Sequence, residues 1–366
     1  MRQTKYLYDE SKMSPVGMVS ISQLQTFMSC KRKWAYNYIE NLKPRVERSY
    51  LTIGKLCHKG MQTAMQELWK DQEEGKDTTL KGGLYNSWLE KALEAMQKEY
   101  DTYCSETPHL EEEIPEFEKL WTDAESVFCQ ALEEFEPWKY EVITVCKKGK
   151  PAPALELHFR VPCLPTKGLH GFIDAILRDR ETGFTWCVDY KFRKSLSPDE
   201  DEAFNIQNVV YAHACHKMGI DITGTMTWQH VNTPAAEPAI LKDGRISRSK
   251  IKTTWVKYEQ FCVEHGQDPQ DYYLEMEEKL RDIEWCRTTL EYRNDETIQN
   301  MWNECVLPAA QGVFSAHNKK ALNFRSLYPW NCKMCQYQSL CQAEIRNYDA
   351  DAVRDREYVK RGGKTT

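Results

Sequence analysis

Several features are missing from this sequence of 366 residues, and each absence argues against a class of protein. No apolar run approaches the roughly 18 residues that a membrane-spanning helix needs, and the opening residues are too polar for a secretory signal. Positive charge is not in excess, because 49 lysines and arginines face 55 aspartates and glutamates. We therefore expect a cytoplasmic protein of a bacterial or phage-infected cell, without membrane contact. The net charge of −6 does not exclude a local basic channel for nucleic acid.

Internal repeats, low-complexity linkers and a nucleotide-driven motor are also absent. Residues 362–365, Gly-Gly-Lys-Thr, resemble part of a phosphate loop, but they lack the first glycine, the preceding strand and the following helix. The chain therefore has no ATPase motor of its own. Hydrophobic residues make up 41% of it, which is typical of a globular protein with a sizeable core.

The hydrophobic period divides the chain into three parts. Residues 20–138 show the period of helices, residues 139–235 alternate as strands do around one helix, and residues 236–348 return to helical patterns. Ser197 and Glu200, with Pro198 between them, predict a capping box that opens the helix of residues 197–219. We expect one domain over residues 1–348, of the α/β (α+β) class with helices flanking the sheet, and a charged, frayed tail over 349–366.

Acidic residues occupy unusual places on two neighbouring strands. Asp189 and Lys191 share one face of the strand 184–192, and Asp174 lies among apolar residues of the preceding strand. A turn at 179–183 joins the strands and brings Asp174 towards Asp189. Two carboxylates beside a lysine favour a Mg²⁺ or Mn²⁺ site with an activator for water. The alternative is an exposed edge hairpin whose aspartate and lysine form an ordinary ion pair.

Two helical pairs add to this pattern. Gln207 and Tyr211 are four residues apart on the helix after the second strand, so that an amide and a phenol share one face and can contact a nucleotide or a phosphate. His58 follows Gly54 by the same spacing upstream. A lone histidine on such a helix is more often structural than functional.

Fourteen cysteines are present, and only Cys332, Cys335 and Cys341 are clustered. Metal sites of this kind usually have four ligands. In a continuous helix, Cys30 would share a face with Phe27 and Trp34 and turn inward, which makes it a candidate fourth ligand. Cys57 is the nearest rival. Spacing alone does not separate a zinc site from an iron-sulfur cluster.

In chain order, these residues resemble the RecB-type branch of the PD-(D/E)XK nuclease superfamily. The motifs are Gly54-x3-His58, Gly171-x2-Asp174, Asp189-Tyr190-Lys191 and Gln207-x3-Tyr211. The stretch from Ser22 to Tyr36, together with the C-terminal cysteines, is similar to the iron-sulfur subgroup of AddB-type nuclease domains and of CRISPR-associated and phage exonucleases. The likeness extends over residues 20–345. It implies a restriction-endonuclease-like mixed sheet.

The resemblance also implies roles. His58, Asp174, Asp189 and the carbonyl of Tyr190 would bind the divalent metal, and Lys191 would be the catalytic lysine. Gln207 and Tyr211 would contact DNA, and Glu156 lies where many relatives have a glutamate, although a strand residue that faces solvent fits it equally. The cysteines that would hold a [4Fe-4S] cluster are Cys30, Cys332, Cys335 and Cys341.

The function that follows is a metal-dependent DNA nuclease, an exonuclease on single-stranded or frayed DNA ends, acting in recombination, repair or phage DNA processing. Its partner would be a helicase or a recombinase, because the chain has no motor. Lys31, Arg32, Lys33 and Arg193 are candidates to guide DNA, unless they form a solvated face. The alternative function is a non-catalytic, nucleic-acid-binding adaptor whose four cysteines bind zinc.

Overall fold

A mixed sheet lies at the centre of the fold. The structure is a computed structural model that describes residues 7–8, 17–45, 49–106, 114–318 and 324–361. The strands within those residues are β1 (Leu7–Tyr8), β2 (Met18–Ser20), β3 (Leu42–Pro44), β4 (Tyr140–Val142), β5 (Thr144–Lys147), β6 (Lys150–Pro153), β7 (Leu155–Leu164), β8 (Lys167–Asp179), β9 (Thr185–Arg193), β10 (Gly224–Val231), β11 (Cys286–Tyr292) and β12 (Tyr358–Lys360).

Helices cover both faces of this sheet. They are α1 (Ile21–Ser29), α2 (Lys31–Trp34), α3 (Ser49–Glu73), α4 (Gly83–Glu106), α5 (Ile114–Phe135), α6 (Asp199–Ala203), α7 (Ile206–Lys217), α8 (Trp255–Glu264), α9 (Gln270–Leu280), α10 (Asp295–Met301), α11 (Leu307–Asn318), α12 (Pro329–Lys333), α13 (Gln338–Ile345) and α14 (Ala350–Glu357). Short π-helical turns follow α2 and α10, and a 3-10 turn follows α5. None of the described helices is both long enough and apolar enough to cross a membrane.

The main sheet has the order β11-β10-β9-β8-β2, and β4 and β7 also pair with β8. The β9–β10 and β2–β8 pairs are parallel, whereas the other pairs are antiparallel. The predicted α/β class with a helix-flanked sheet is confirmed. Because β9 lies between β8 and β10, the alternative of an exposed edge hairpin is wrong.

The two faces of the sheet belong to separate hydrophobic cores. Cys187 of β9 faces the core that includes residues of α1, α7 and α11. Its neighbours Trp186 and Val188 face the core formed with α3, α4 and α5. Gly60 allows close packing in the second core, since a Cβ atom there would lie 2.5 Å from the Phe128 ring. This close approach fixes α3, which also carries His58.

The predicted helix 197–219 is interrupted, and the predicted capping box is wrong. Pro198 is the N-cap of α6 and makes no side-chain capping bond. Ser197 instead donates its N–H to Gln229, and its hydroxyl accepts from Arg193. A second helix starts at Ile206 because the Asn205 side chain accepts the N–H of Gln207 at 3.0 Å. The helix that carries the site residues is therefore anchored by its own cap.

Residues 236–348 are not purely helical, contrary to the sequence prediction. Cys286–Tyr292 forms the strand β11, which pairs with all but the last residue of β10. Before it, α8 and α9 enclose a small core of their own around Tyr258 and Met276. Charged and apolar residues do not alternate cleanly in β11, because one of its edges and part of its surface face solvent.

The prediction of a frayed tail is wrong for residues 350–360. They form α14 and β12, and β12 pairs antiparallel with β3 from Leu42 to Pro44. Tyr358 packs against Tyr337 with ring centroids 5.4 Å apart. The Gly-Gly-Lys-Thr segment at 362–365 lies outside the described residues. The C-terminal segment is thus an integral part of the fold next to the N-terminal helices.

Candidate active site

The two predicted acidic residues meet where β8 and β9 separate. Ala175 and Val188 are the last residues of β8 and β9 to pair before the strands separate. This pairing places Asp174 and Asp189 next to each other. Beyond this pair, the N–H of Tyr190 donates to Oδ2 of Asp174 at 2.9 Å. The buried sheet therefore holds both carboxylates at one end of the hairpin.

Asp189 belongs to a polar network that includes three further predicted residues. Lys191 Nζ lies 2.8 Å from Asp189 Oδ1 and 3.3 Å from Gln207 Oε1. The Gln207 amide donates to the same Oδ1 at 3.2 Å and to the Tyr211 hydroxyl at 2.7 Å. Gln207 thus connects α7 directly to the carboxylate and the lysine.

One oxygen of Asp189 has no hydrogen-bond donor among the described residues. Oδ2 is buried, and although Lys191 Nζ lies 2.8 Å away, the geometry of a hydrogen bond is met only at Oδ1. Burial raises the pKa of Asp189 to about 6; the charge on Lys191 opposes this rise and that on Asp174 adds to it. A buried carboxylate oxygen without a donor is costly and fits a site for a cation.

His58 comes from the opposite side, on α3. Its Nδ1 lies 3.7 Å from Asp174 Oδ2, and its ring packs edge-on against Phe192. Burial lowers the pKa of His58 to about 4, and the positive charge of Lys191 lowers it further. The imidazole is therefore neutral at pH 7, which is the form that binds metals.

Glu156 is half-buried on the neighbouring strand β7, next to the two aspartates. Its neighbour Leu157 pairs with Ile173, so the register puts Glu156 across from Asp174. Its backbone has a φ of 43°, in the left-handed region that only a few per cent of non-glycine residues adopt. Burial and then the charge of Asp174 raise the pKa of Glu156 to about 7. Such strain is often found at functional sites.

Two open clefts flank these carboxylates. The first, of about 430 Å³, is lined by Gln25, Lys191, Arg193, Ser197, Asp201, Glu202, Asn205 and Gln207. The second, of about 350 Å³, is lined by Lys55, His58, Lys59, Gln62, Glu99, Glu156 and Phe172. Lys55, Lys59 and Gln62 were not predicted from the sequence, although with His58 they follow the helical period along one polar face of α3. The site is thus reachable from two sides.

The donor set has the chemistry of a divalent-metal site but is not arranged as one in the structure. No group of three or more histidine, cysteine, aspartate or glutamate side chains in the described ranges is placed to hold a metal ion. Lys191 and the N–H of Tyr190 instead engage the two aspartates. Oδ2 of Asp189, the carboxylate of Asp174 and the neutral imidazole of His58 are hard or borderline ligands that fit Mg²⁺ or Mn²⁺, although Lys191 Nζ lies 2.8 Å from that Oδ2.

Some of the predicted DNA-contacting residues are buried. Arg32 is 8% exposed, and its guanidinium pairs with Glu344 and Glu40. It therefore joins the two ends of the chain and is not a guide for DNA. Tyr211 is also buried and lies behind Gln207, with its ring against Phe159. Lys191 and Gln207 remain at the surface of the first cleft, where Arg193 also lies next to Glu202.

The predicted cysteine site joins the same two chain ends. The segment 20–39 is not one continuous helix, since Cys30 has an extended backbone between α1 and α2, and the argument from a shared helical face is wrong. Cys30 nevertheless lies near the C-terminal cysteines. Burial raises the pKa of the Cys335 thiol, and the neighbouring Cys30 and Cys341 add to that rise. The fourth cysteine, Cys332, contacts the carbonyl of Ser326 at 3.8 Å. Cys57 is buried beside the Ala124 carbonyl, in the core of α3–α5.

A helix-flanked mixed sheet, whose central hairpin ends in two acids and a lysine, defines a restriction-endonuclease-like nuclease fold. Comparison with known families matches residues 18–342 to the PD-(D/E)XK nuclease superfamily, and the chain belongs to this family. Over 237 residues it is 28% identical to one of the subunits of the ATP-dependent helicase/deoxyribonuclease of Alkaliphilus oremlandii (strain OhILAs). This alignment covers 57% of the chain and 20% of that protein, so the chain spans about a fifth of its relative's length. The predicted nuclease family is confirmed.

Proposed function

We propose that this chain is a metal-dependent deoxyribonuclease that hydrolyses phosphodiester bonds at the site formed by Asp174, Asp189 and Lys191. The observation that carries the proposal is the buried Oδ2 of Asp189, which has no hydrogen-bond donor in the described part of the chain, next to a second carboxylate and a lysine. The adaptor alternative offers no explanation for this cost.

The ligands of the cation would be Asp174, Asp189, His58 and the backbone carbonyl of Tyr190, and Mg²⁺ or Mn²⁺ fits their chemistry. Bound there, such an ion lowers the pKa of a water molecule and neutralises phosphate charge. Lys191 holds the attacking water and stabilises negative charge that develops on the phosphate. Gln207 fixes the position of the lysine ammonium through its Oε1 at 3.3 Å.

We further propose that the substrate is DNA with single-stranded or frayed ends and that the enzyme is an exonuclease. The relative from Alkaliphilus oremlandii is named as part of a helicase and deoxyribonuclease, which supports a role in recombination, repair or phage DNA processing with a helicase or recombinase partner. An enzyme that follows a helicase meets unpaired strands. The two clefts beside the carboxylates are open enough for an unpaired strand to enter from either side.

Digestion of end-labelled single-stranded and double-stranded DNA with Mn²⁺ or Mg²⁺ tests the proposal. Asp189→Asn should abolish cleavage, and Lys191→Ala should lower its rate roughly 10²- to 10³-fold. The matched controls are Asp221→Asn and Lys217→Ala, which change an exposed carboxylate and an exposed ammonium outside the site. Product lengths report polarity and the choice between exonuclease and endonuclease. Equal cleavage by the parent and both site variants would refute the proposed site.

The cysteine site is proposed to hold a [4Fe-4S] cluster through Cys30, Cys332, Cys335 and Cys341. Its role would be structural, because it would join residues about 300 positions apart and restrict the unfolded chain. None of these cysteines forms a disulfide, and Cys30 and Cys341 are close enough to Cys335 to raise the pKa of its thiol, although in the described residues the four thiols are not arranged to hold a metal ion.

Protein purified without oxygen should be brown and contain about four irons per chain. Cys30→Ser should lower the iron content and the unfolding temperature, whereas Cys305→Ser, at an exposed cysteine elsewhere, should change neither. One zinc per chain in place of iron would refute the cluster and favour the zinc alternative.

A further inference from the structure

Part of the sheet that the described residues leave uncovered extends from the active site along β7 and β8. The inward residues Leu157, Phe159 and Leu169 are at most 3% exposed and belong to the core with α1 and α7. The opposite face carries His158, Arg160, His170 and Phe172, and Phe172 is 51% exposed. We propose that this face binds single-stranded DNA by stacking an unpaired base on Phe172. The inference rests on the proposed nuclease function and names the strand's path to the site.

The register gathers these side chains into one platform. His158 pairs with Phe172, and Arg160 pairs with His170, so all four project from the same side of the sheet. The rings of His158 and Phe172 lie 4.8 Å apart at 39°, and the ring of His170 lies 6.1 Å from that of His158. Phe172 is therefore supported from one side, while half of its surface is free to contact a flat partner. A supported exposed ring is the usual stacking surface for unpaired bases.

The charges around this ring suit a phosphate backbone. Arg160 lies across from His170, and Lys55 and Lys59 line the cleft that Phe172 also lines. Burial lowers the pKa of His170, and the neighbouring His158 and Arg160 lower it further. The carboxylates nearby, Glu156 and Asp174, belong to the active site, and Glu99 closes the cleft. A purely hydrophobic partner would gain nothing from these positive charges, whereas the phosphates of DNA would be attracted to them.

The platform is continuous with the active site. Phe172 and Asp174 are two residues apart on the same face of β8, about 6.5–7 Å along the strand. Glu156 and His158 have the same relation on β7. A strand with one base on Phe172 therefore has a phosphate within reach of the carboxylates. Duplex DNA cannot use the ring in this way, because its bases are stacked inside the helix.

Binding of fluorescent oligothymidylate, measured by anisotropy in EDTA so that no hydrolysis occurs, tests the platform. Phe172→Ala should raise the Kd roughly five- to 150-fold, the fold-change that corresponds to ~1–3 kcal/mol for one stacked base. Phe172→Trp should keep the affinity, and Phe172→Leu should lose it because leucine has no aromatic face. Phe184→Ala removes a comparably exposed ring at the other end of the sheet and should have no effect.

An abasic strand of the same length separates base stacking from other contacts. The parent should bind it more weakly than oligothymidylate, and Phe172→Ala should weaken it no further. An equal loss on both strands, or full affinity of Phe172→Leu for oligothymidylate, would overturn the stacking platform and favour an apolar or protein-binding surface.

Hydrolysis of the small ester bis(p-nitrophenyl) phosphate with Mn²⁺ measures the activity of the site independently of base stacking on Phe172. An unfolding temperature of Phe172→Ala close to that of the parent shows that the variant is folded. If the parent hydrolyses the ester but binds oligothymidylate no better than Phe172→Ala does, the platform is refuted and the nuclease stands. If the parent hydrolyses neither ester nor DNA, the proposed function fails, and the substrate path falls with it.

Discussion

Replacing the buried carboxylate of Asp189 should inactivate the protein and at the same time stabilise it. Asp189 is 1% exposed, and burial raises its pKa from the ordinary 3.8 to about 6. In the unfolded chain the carboxyl ionises near pH 4, so the folded state binds more protons between pH 4 and pH 6. Stability is therefore lost as the pH rises through this window, and the ionised group destabilises the fold at neutral pH.

The shift of about 2.2 pKa units, from 3.8 to 6, corresponds to about 3 kcal/mol at 1.36 kcal/mol per unit. Asp189→Asn removes the titration and keeps an oxygen that can accept from Lys191. The variant should therefore exceed the parent in free energy of unfolding by about 1.5 kcal/mol at pH 5 and by about 3 kcal/mol at pH 8.

Urea unfolding of the parent and the variant in EDTA, from pH 5 to pH 8, measures this difference. Asp221→Asn, at an exposed carboxylate, should stay within about 0.5 kcal/mol of the parent at each pH. A variant less stable than the parent at pH 8, or a difference that does not change with pH, would refute the reasoning. Adding Mg²⁺ should then stabilise the parent alone, by about 2.7 kcal/mol at a hundredfold excess over Kd.

Three further predictions concern other parts of the molecule. Lys191→Ala should lower kcat on DNA roughly 10²- to 10³-fold in a steady-state assay, because one charge-stabilising donor is lost; an unchanged kcat would remove the lysine from the mechanism. Glu156→Gln should move the acidic limb of the kcat/KM profile from near pH 7 towards pH 6, since the parent carboxyl has a pKa of about 7; coincident profiles would contradict a role for this group. Glu344→Gln should lower the free energy of unfolding in urea by about 1.5–3 kcal/mol, because Arg32 keeps Glu40 but loses its charged hydrogen bonds to Glu344; a loss below about 1 kcal/mol would show that the pair does not join the chain ends.

The hairpin of β8 and β9 could be predicted from the sequence because its signals are local. The alternation of β8 and β9 is visible in the residue pattern, and a short turn fixes which residues face each other. Asp174 and Asp189 therefore meet as the pattern predicts. His58 is different, since the packing of α3 against β9, where Gly54 lies against Phe192, decides which strands it faces. The resemblance to the nuclease superfamily, and not the hydrophobic period, predicted that His58 belongs with the two aspartates.

The features that the sequence did not reveal depend on distant contacts. Arg32 reads as one of three basic residues on a surface helix, but its partner Glu344 is 312 positions away. The tail reads as charged and frayed, yet β3 offers it a free edge and Tyr337 a stacking partner. The break at Cys30 is also tertiary, because the N–H of Arg32 donates to the carbonyl of Phe324 instead of continuing the helix. Contacts between residues so far apart in the sequence leave no periodic pattern of hydrophobic residues.

Largely buried carboxylates in two parts of this molecule respond to pH in opposite directions. They are Asp174 and Asp189 at the candidate site and Glu344 where the two ends of the chain meet. At the site, burial raises the pKa of Asp174 and Asp189, so both carboxylates destabilise the fold as the pH rises. Where the two ends of the chain meet, burial alone would raise the pKa of Glu344, but hydrogen bonds from Arg32 and Tyr36 outweigh this effect and hold the pKa below its usual value. Glu344 therefore stabilises the fold above pH 4.5, and this contribution is lost in acid. The pairing of Glu344 is complete at neutral pH, where ionisation of Asp174 and Asp189 costs most, so the contacts that join the chain ends offset part of that cost.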